Sequence, residues 1–93
     1  MAEQSGQTTV AAAGTEVQLH AGLVINGPVM IKALPANTGI MYVGNVNGAV
    51  SSTLGMPLSA GDAMIYDFVG NLNSIWVDAS VSGEKVAWAQ LDI

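Results

Sequence analysis

Residues 23–34 read Leu-Val-Ile-Asn-Gly-Pro-Val-Met-Ile-Lys-Ala-Leu, two short apolar runs parted by Asn26-Gly27-Pro28. Asn and Gly tolerate left-handed backbone and Pro brings no N–H to a strand ladder, so this tripeptide ends one element before the next begins. In the second run Val29, Ile31 and Ala33 alternate with Met30, Lys32 and Leu34. Strand side chains point to opposite faces in turn, so placing Lys32 in water sends Val29, Ile31 and Ala33 into a core. The period is two and the run is short, which makes it a half-buried strand rather than a helix.

The same texture extends from Thr15 to the C-terminus. Strand character is expected at Glu16 to Leu19, Leu23 to Ile25, Val29 to Leu34, Gly39 to Val43, Ala63 to Phe68, Ser74 to Asp78 and Lys85 to Leu91. The dividing residues are turn formers, among them 11 Gly, 3 Pro and 6 Asn, with a second Asn-Gly pair at Asn47-Gly48. In the sixth segment Ile75, Val77 and Ala79 share one face, which leaves Ser74, Trp76 and Asp78 on the outer one. In the last, Val86, Trp88 and Gln90 alternate with Ala87, Ala89 and Leu91; neither set is plainly polar, so both faces are expected to be covered. The linker from Asn45 to Asp62 is long for a bare loop and leaves room for a short strand near Val50 to Leu54. Many short strands at spacings of about 8 to 12 residues predict an all-β, antiparallel β-sandwich, jelly-roll-like, with a small barrel as the other closure.

Residues 1–14 differ. They are small or polar apart from Val10 and follow neither a period of two nor one of 3.6, so the expected organisation is a flexible N-terminal arm over 1–14 and one β-sandwich domain over 15–93. At 93 residues the chain holds a single domain.

Composition narrows the function. Charged residues are 10% of the chain, against about 25% in ordinary soluble domains, while hydrophobic residues are 51%. So small a domain cannot hide all of that apolar surface, and assembly with other subunits is the expected outlet. No run reaches the roughly 20 apolar residues of a membrane-spanning helix. Net charge is −5 with Lys32 and Lys85 the only cations, which makes nucleic acid and anionic lipid poor partners. The absence of Cys removes disulfides, zinc–thiolate sites and a Cys nucleophile. Residues 1–14 lack the basic-then-apolar order of a secretory signal, so a cytoplasmic origin is the default expectation.

Catalytic material is sparse. His20 is the only histidine and has no nucleophile motif around it, so it reads as a turn or surface residue. Asp62, Asp67 and Asp78 could pair for glycoside hydrolysis only beside a substrate cleft, and their turn and strand-edge positions suit structural or solvated carboxylates. No calcium loop and no Gly-rich phosphate cradle occurs. No catalytic residue, cofactor or metal ligand is therefore expected. Tyr42, Tyr66, Phe68, Trp76 and Trp88 lie within strand segments, where rings ordinarily anchor cores and interfaces.

One run carries a family resemblance: Ile31-Lys32-Ala33-Leu34-Pro35-Ala36-Asn37-Thr38-Gly39-Ile40-Met41-Tyr42-Val43-Gly44 resembles the I-K-A-x-x-x-N-x-G-x-x-Y-V-G pattern of small tailed-bacteriophage virion proteins. Gly14 to Leu19 is similar to that family's opening strand, Pro57-Leu58-Ser59-Ala60-Gly61-Asp62 to its P-L-x-x-G-[DE] turn, and Ile75 to Ala79 with Gly83 to Trp88 to its closing strands. The resemblance spans residues 14–91, with Asn37 and Gly39 as the turn between strands. It implies a virion structural protein without an active site, of the capsid decoration or cement type: made in the host cytoplasm, self-associated as a trimer, and bound to the outer surface of the major capsid protein lattice. On that reading Trp76, Tyr66 and Met41 are the expected intersubunit contacts, and Thr8, Thr9 and Val10 of the arm the expected capsid contacts. The alternative is a carbohydrate- or receptor-binding module of a phage fibre or tail, with Tyr42, Tyr66 or Trp76 as a stacking platform open to solvent. An enzyme is the third reading.

Overall fold

The structure is a computed structural model that describes residues 5–25, 27–46, 48, 50–67 and 70–91. Met1 to Gln4 of the expected arm, Asn26 and Asn47 of the two turn pairs, and Phe68 lie outside the described residues.

Eight strands follow one another: β1 (Ser5–Val10), β2 (Val17–Gln18), β3 (Val29–Ala33), β4 (Met41–Gly44), β5 (Met56–Leu58), β6 (Ala63–Tyr66), β7 (Trp76–Ala79) and β8 (Glu84–Gln90). They form two four-stranded sheets with orders β1-β8-β3-β6 and β2-β7-β4-β5, and every neighbouring pair is antiparallel. Every connection except β4 to β5 crosses from one sheet to the other, and the first strand lies beside the last. That order is a jelly roll, two Greek keys closed on each other.

Alternation explains the packing. Val29, Ile31 and Ala33 of β3 are buried and Lys32 is exposed; Ile75, Val77 and Ala79 are buried from the facing sheet. Met41, Val43, Val86, Leu72 and Trp88 complete the middle of the core. Each large apolar side chain so removed from water contributes about 1.5–3 kcal/mol. Between β6 and β7 a single 3₁₀ turn, Leu72–Ser74, is capped by Asn71, whose Oδ1 accepts the N–H groups of Asn73 (3.0 Å) and Leu23 (3.1 Å).

The expected arm is corrected. Residues 5–10 form a six-residue edge strand paired with β8 from Ser5↔Ala89 to Val10↔Glu84. Their sequence hides this because only Val10 of the inward residues is apolar. Gly6 must be small: a Cβ there would stand 2.8 Å from Cζ2 of Trp88, so β8 supplies the apolar mass that β1 lacks. Leu23 to Ile25 is also corrected, to one isolated bridge, Val24↔Asn71, flanked by backbone bonds to Gly70 and Leu72. The strand expected near Val50 to Leu54 is likewise only a bridge, Ser51↔Leu54, and the strand of that linker is β5.

Candidate functional site

The two outer faces of the sandwich differ in what covers them. On the β2-β7-β4-β5 sheet the outward rows are Gln18, Trp76, Gly44 and then Asp78, Tyr42, Pro57. The chain folds back over this face. The Glu16 carboxylate accepts the N–H groups of Gly48 and Val50, the latter at 2.9 Å, and so holds the loop after β4 down. Val50 is then buried against Gly44, where a Cβ would come within 2.7 Å of the Val50 Cγ2. From the other side Gly14 N–H donates to Asp78 Oδ1 at 3.0 Å, and Ala79 N–H donates to the same oxygen at 2.7 Å. Asp78 thus lies on the outer face, as alternation requires, yet is 2% exposed.

The β1-β8-β3-β6 sheet carries no such cover among the described residues. Its outward rows are Ser5, Ala89, Met30, Ile65 and then Gln7, Ala87, Lys32, Ala63, with Thr9 beside Lys85 beyond them. Because the central strand β8 presents only Ala87 and Ala89 between longer neighbours, the face sinks into an open trough of about 440 Å³ walled by Ser5, Gln7, Met30 and Lys32. Ile65 is 51% exposed, and Leu91, past the end of β8, 48%. Both cations of the chain stand on this face, exposed, and among the described residues neither ammonium reaches a carboxylate.

At the end of the sandwich the motif residues meet. Asn37 grips β8 like an extra strand residue, its Nδ2 donating to Lys85 O at 2.8 Å and its Oδ1 accepting from Lys85 N at 3.3 Å. Next to it the Glu84 carboxylate accepts from Thr38 N (2.6 Å), Thr38 Oγ1 (3.2 Å) and Gly39 N (2.7 Å). The Thr38 N–H above all holds this carboxyl below its ordinary range, against the opposing pull of desolvation. Glu84 was missed in the sequence, although extending the inward series Val86, Trp88, Gln90 back by two reaches it. The Pro57–Asp62 turn docks on the same end, with Gly61 at φ +85° donating to Ala33 O at 3.0 Å and Asp62 Oδ2 accepting from Ser59 N at 3.1 Å. These contacts are structural.

The expected contact residues do not share a surface. Met41 is fully buried in the monomer core, so its intersubunit role is corrected. Tyr66 is half-buried against the core from β6, and that burial raises its phenol pKa. Trp76 is half-buried on the self-covered sheet. Of the expected capsid contacts, Val10 is a core residue with no exposed surface, a second correction. Thr8 is half-buried and donates to Leu19 O at 2.6 Å, while Thr9 is exposed on the uncovered face. His20 sits in a turn, its Nδ1 accepting from Gly22 N at 3.0 Å and its ring edge-on to Trp88.

Among the described residues no three His, Cys, Asp or Glu side chains gather to hold a metal ion, and no helix is long and apolar enough to cross a membrane. Comparison of the chain with protein-family models, curated proteins and solved structures found no match in any of the three.

Proposed function

We propose that this protein is a non-catalytic, self-associating capsid decoration protein of a tailed bacteriophage, bound to the outside of the major capsid protein lattice. The observation that carries the reading is the asymmetry of the sandwich: a loop of the chain lies over part of one sheet, whereas among the described residues none lies over the other, whose outward residues include Ala87, Ala89, Met30, Ile65 and both lysines. A bare apolar face on a small domain is ordinarily a contact surface. The motif pieces that resemble virion proteins are spent on holding loops to strands, through Asn37, Gly39, Glu84 and Asp62, which suits a rigid structural element.

Attachment strengthens a shell by mass action, because a ligand that binds only the assembled lattice lowers the free energy of that state by RT ln(1 + [L]/Kd) per site. Many weak sites suffice. The test adds the purified protein to phage shells stripped of surface proteins and follows co-sedimentation and the temperature at which the shells open. Saturable binding with a raised opening temperature is the expected result. Binding to a glycan array with no binding to shells would overturn the reading in favour of a fibre module.

A further inference from the structure

We infer that the uncovered β1-β8-β3-β6 face is where a second copy of this chain docks, by two-fold, face-to-face packing. The inference rests on the self-association in the proposed function and names its surface.

The argument is first one of charge. The chain carries −5 overall, so two copies repel unless their contact brings cations to carboxylates. Only this face offers cations. Lys85 lies toward one end of it, Lys32 opposite Ala63 and Ala87 comes next, and Ile65 with Met30 and Ala89 makes an apolar middle. Asp67, exposed, follows Tyr66 at the other end of β6. Lys32 faces Ala63 in the register, so Asp67 is four residues further along β6, about 13 Å at strand rise. Asp62, at the lysine end, already accepts from Ser59 N within its own turn.

The face therefore carries both lysines, with the turn carboxylate Asp62 beside them, at one end, an apolar centre, and Asp67 at the other end. A two-fold axis across its middle lays the lysine end of one copy on the Asp67 end of the next, twice over, and stacks Ile65, Met30 and the alanines against themselves. That is the self-complementarity an isologous contact demands.

Size sets the strength. Four strands and about five residues span roughly 19 by 17 Å, less than the roughly 800 Å² per partner of a standard interface, so a weak dimer is expected, with Kd of about 10 µM to 1 mM. On a shell, fixed neighbouring copies would raise their effective concentration into that range. This contact is two-fold, where the resemblance implied a trimer.

The test is charge reversal and its repair, read by sedimentation equilibrium up to about 1 mM protein, a ceiling set by the affinity range above. Wild type should rise with concentration from its 9.5 kDa monomer mass to at least about one and a half times that mass at the top of the range. Lys32→Glu and Asp67→Lys should each stay monomeric with unchanged circular dichroism, and the double variant Lys32→Glu/Asp67→Lys should dimerise again. A dimer indifferent to both single changes, or a double variant no better than the singles, overturns the assigned face while leaving shell attachment standing. A monomeric wild type that still decorates shells overturns self-association itself. Dimerisation that follows the charge pattern without shell binding supports the face and removes the capsid reading.

Discussion

The carboxylate of Glu84 accepts the backbone N–H of Gly39 at 2.7 Å, tying the loop before β4 to the first residue of β8. With the Thr38 N–H as its strongest partner, Glu84 ionises in the folded protein below its ordinary value of 4.5. The unfolded chain then binds the proton more tightly than the folded one, so the stabilisation is complete above about pH 4.5 and drains away as pH falls through the depressed folded value. Urea unfolding midpoints measured from neutral pH to about pH 3 should fall further for wild type than for Glu84→Gln, which starts lower at neutral pH. Parallel curves would remove Glu84 as the acid-sensitive group.

Gly39 is required by space. A Cβ at this position would lie 2.3 Å from Ser80 Oγ and 2.8 Å from Val81 Cγ2. Ser80 Oγ already accepts from Ile40 N at 2.8 Å, so moving it breaks that bond as well. Gly39→Ala should cost about 1–3 kcal/mol in chemical denaturation, the usual toll of overpacking. Combining it with Ser80→Gly should recover only part, because Val81 remains in the way.

What the sequence disclosed and what it hid divide along one line, whether a residue's environment comes from its own strand or from another. The alternation in β3, with Lys32 outward, states the core face directly, and the run Ile75, Val77, Ala79 does the same. β1 does not, because the ring beside Gly6 belongs to Trp88, far away in the chain, and the Thr8 hydroxyl is satisfied by the Leu19 carbonyl. Met41 is an intersubunit contact on the resemblance, yet it lies in the core between its register neighbours Ala79 and Leu58. Trp76 was placed on the outer face correctly by period; nothing local says that Glu16 draws a loop over that face.

That loop gives the third expectation. Glu16→Gln weakens the acceptor of the Gly48 and Val50 N–H groups and should cost about 0.5–2 kcal/mol. Amide exchange at those two positions should rise while exchange in β3 and β8 stays slow. If the Val50 amide keeps its protection, the loop is held by packing on Gly44 alone.

Because Trp76 stands opposite Gly44 and Gln18 on the self-covered sheet, truncating it removes buried area within one subunit. Trp76→Ala should lower stability by about 1–3 kcal/mol, less than a fully buried aromatic, and leave the dimerisation constant unchanged. A monomeric, equally stable Trp76→Ala protein would move the interface to the other sheet.

Deleting residues 1–10 separates an arm from a strand most sharply. An arm would come away with no loss. The strand takes with it six residues of pairing to β8, the core side chain of Val10, the Thr8 bond to Leu19 O and the Val10 carbonyl that Gly83 N donates to at 2.8 Å. It also uncovers the indole of Trp88 beside Gly6 and turns β8, central in its sheet, into an exposed edge open to pairing with other chains. Such a loss takes a large share of the roughly 5–15 kcal/mol stability typical of a whole domain, and a domain this small has little to spare. The truncated chain should therefore fail to fold or should aggregate, with red-shifted tryptophan emission and collapsed amide dispersion in NMR spectra. The point variant Val10→Ala, which keeps the backbone pairing, should fold and lose about 1–3 kcal/mol, so strand and side chain are read separately. A deletion protein that melts with wild-type midpoint and cooperativity would return residues 5–10 to the status of an appendage.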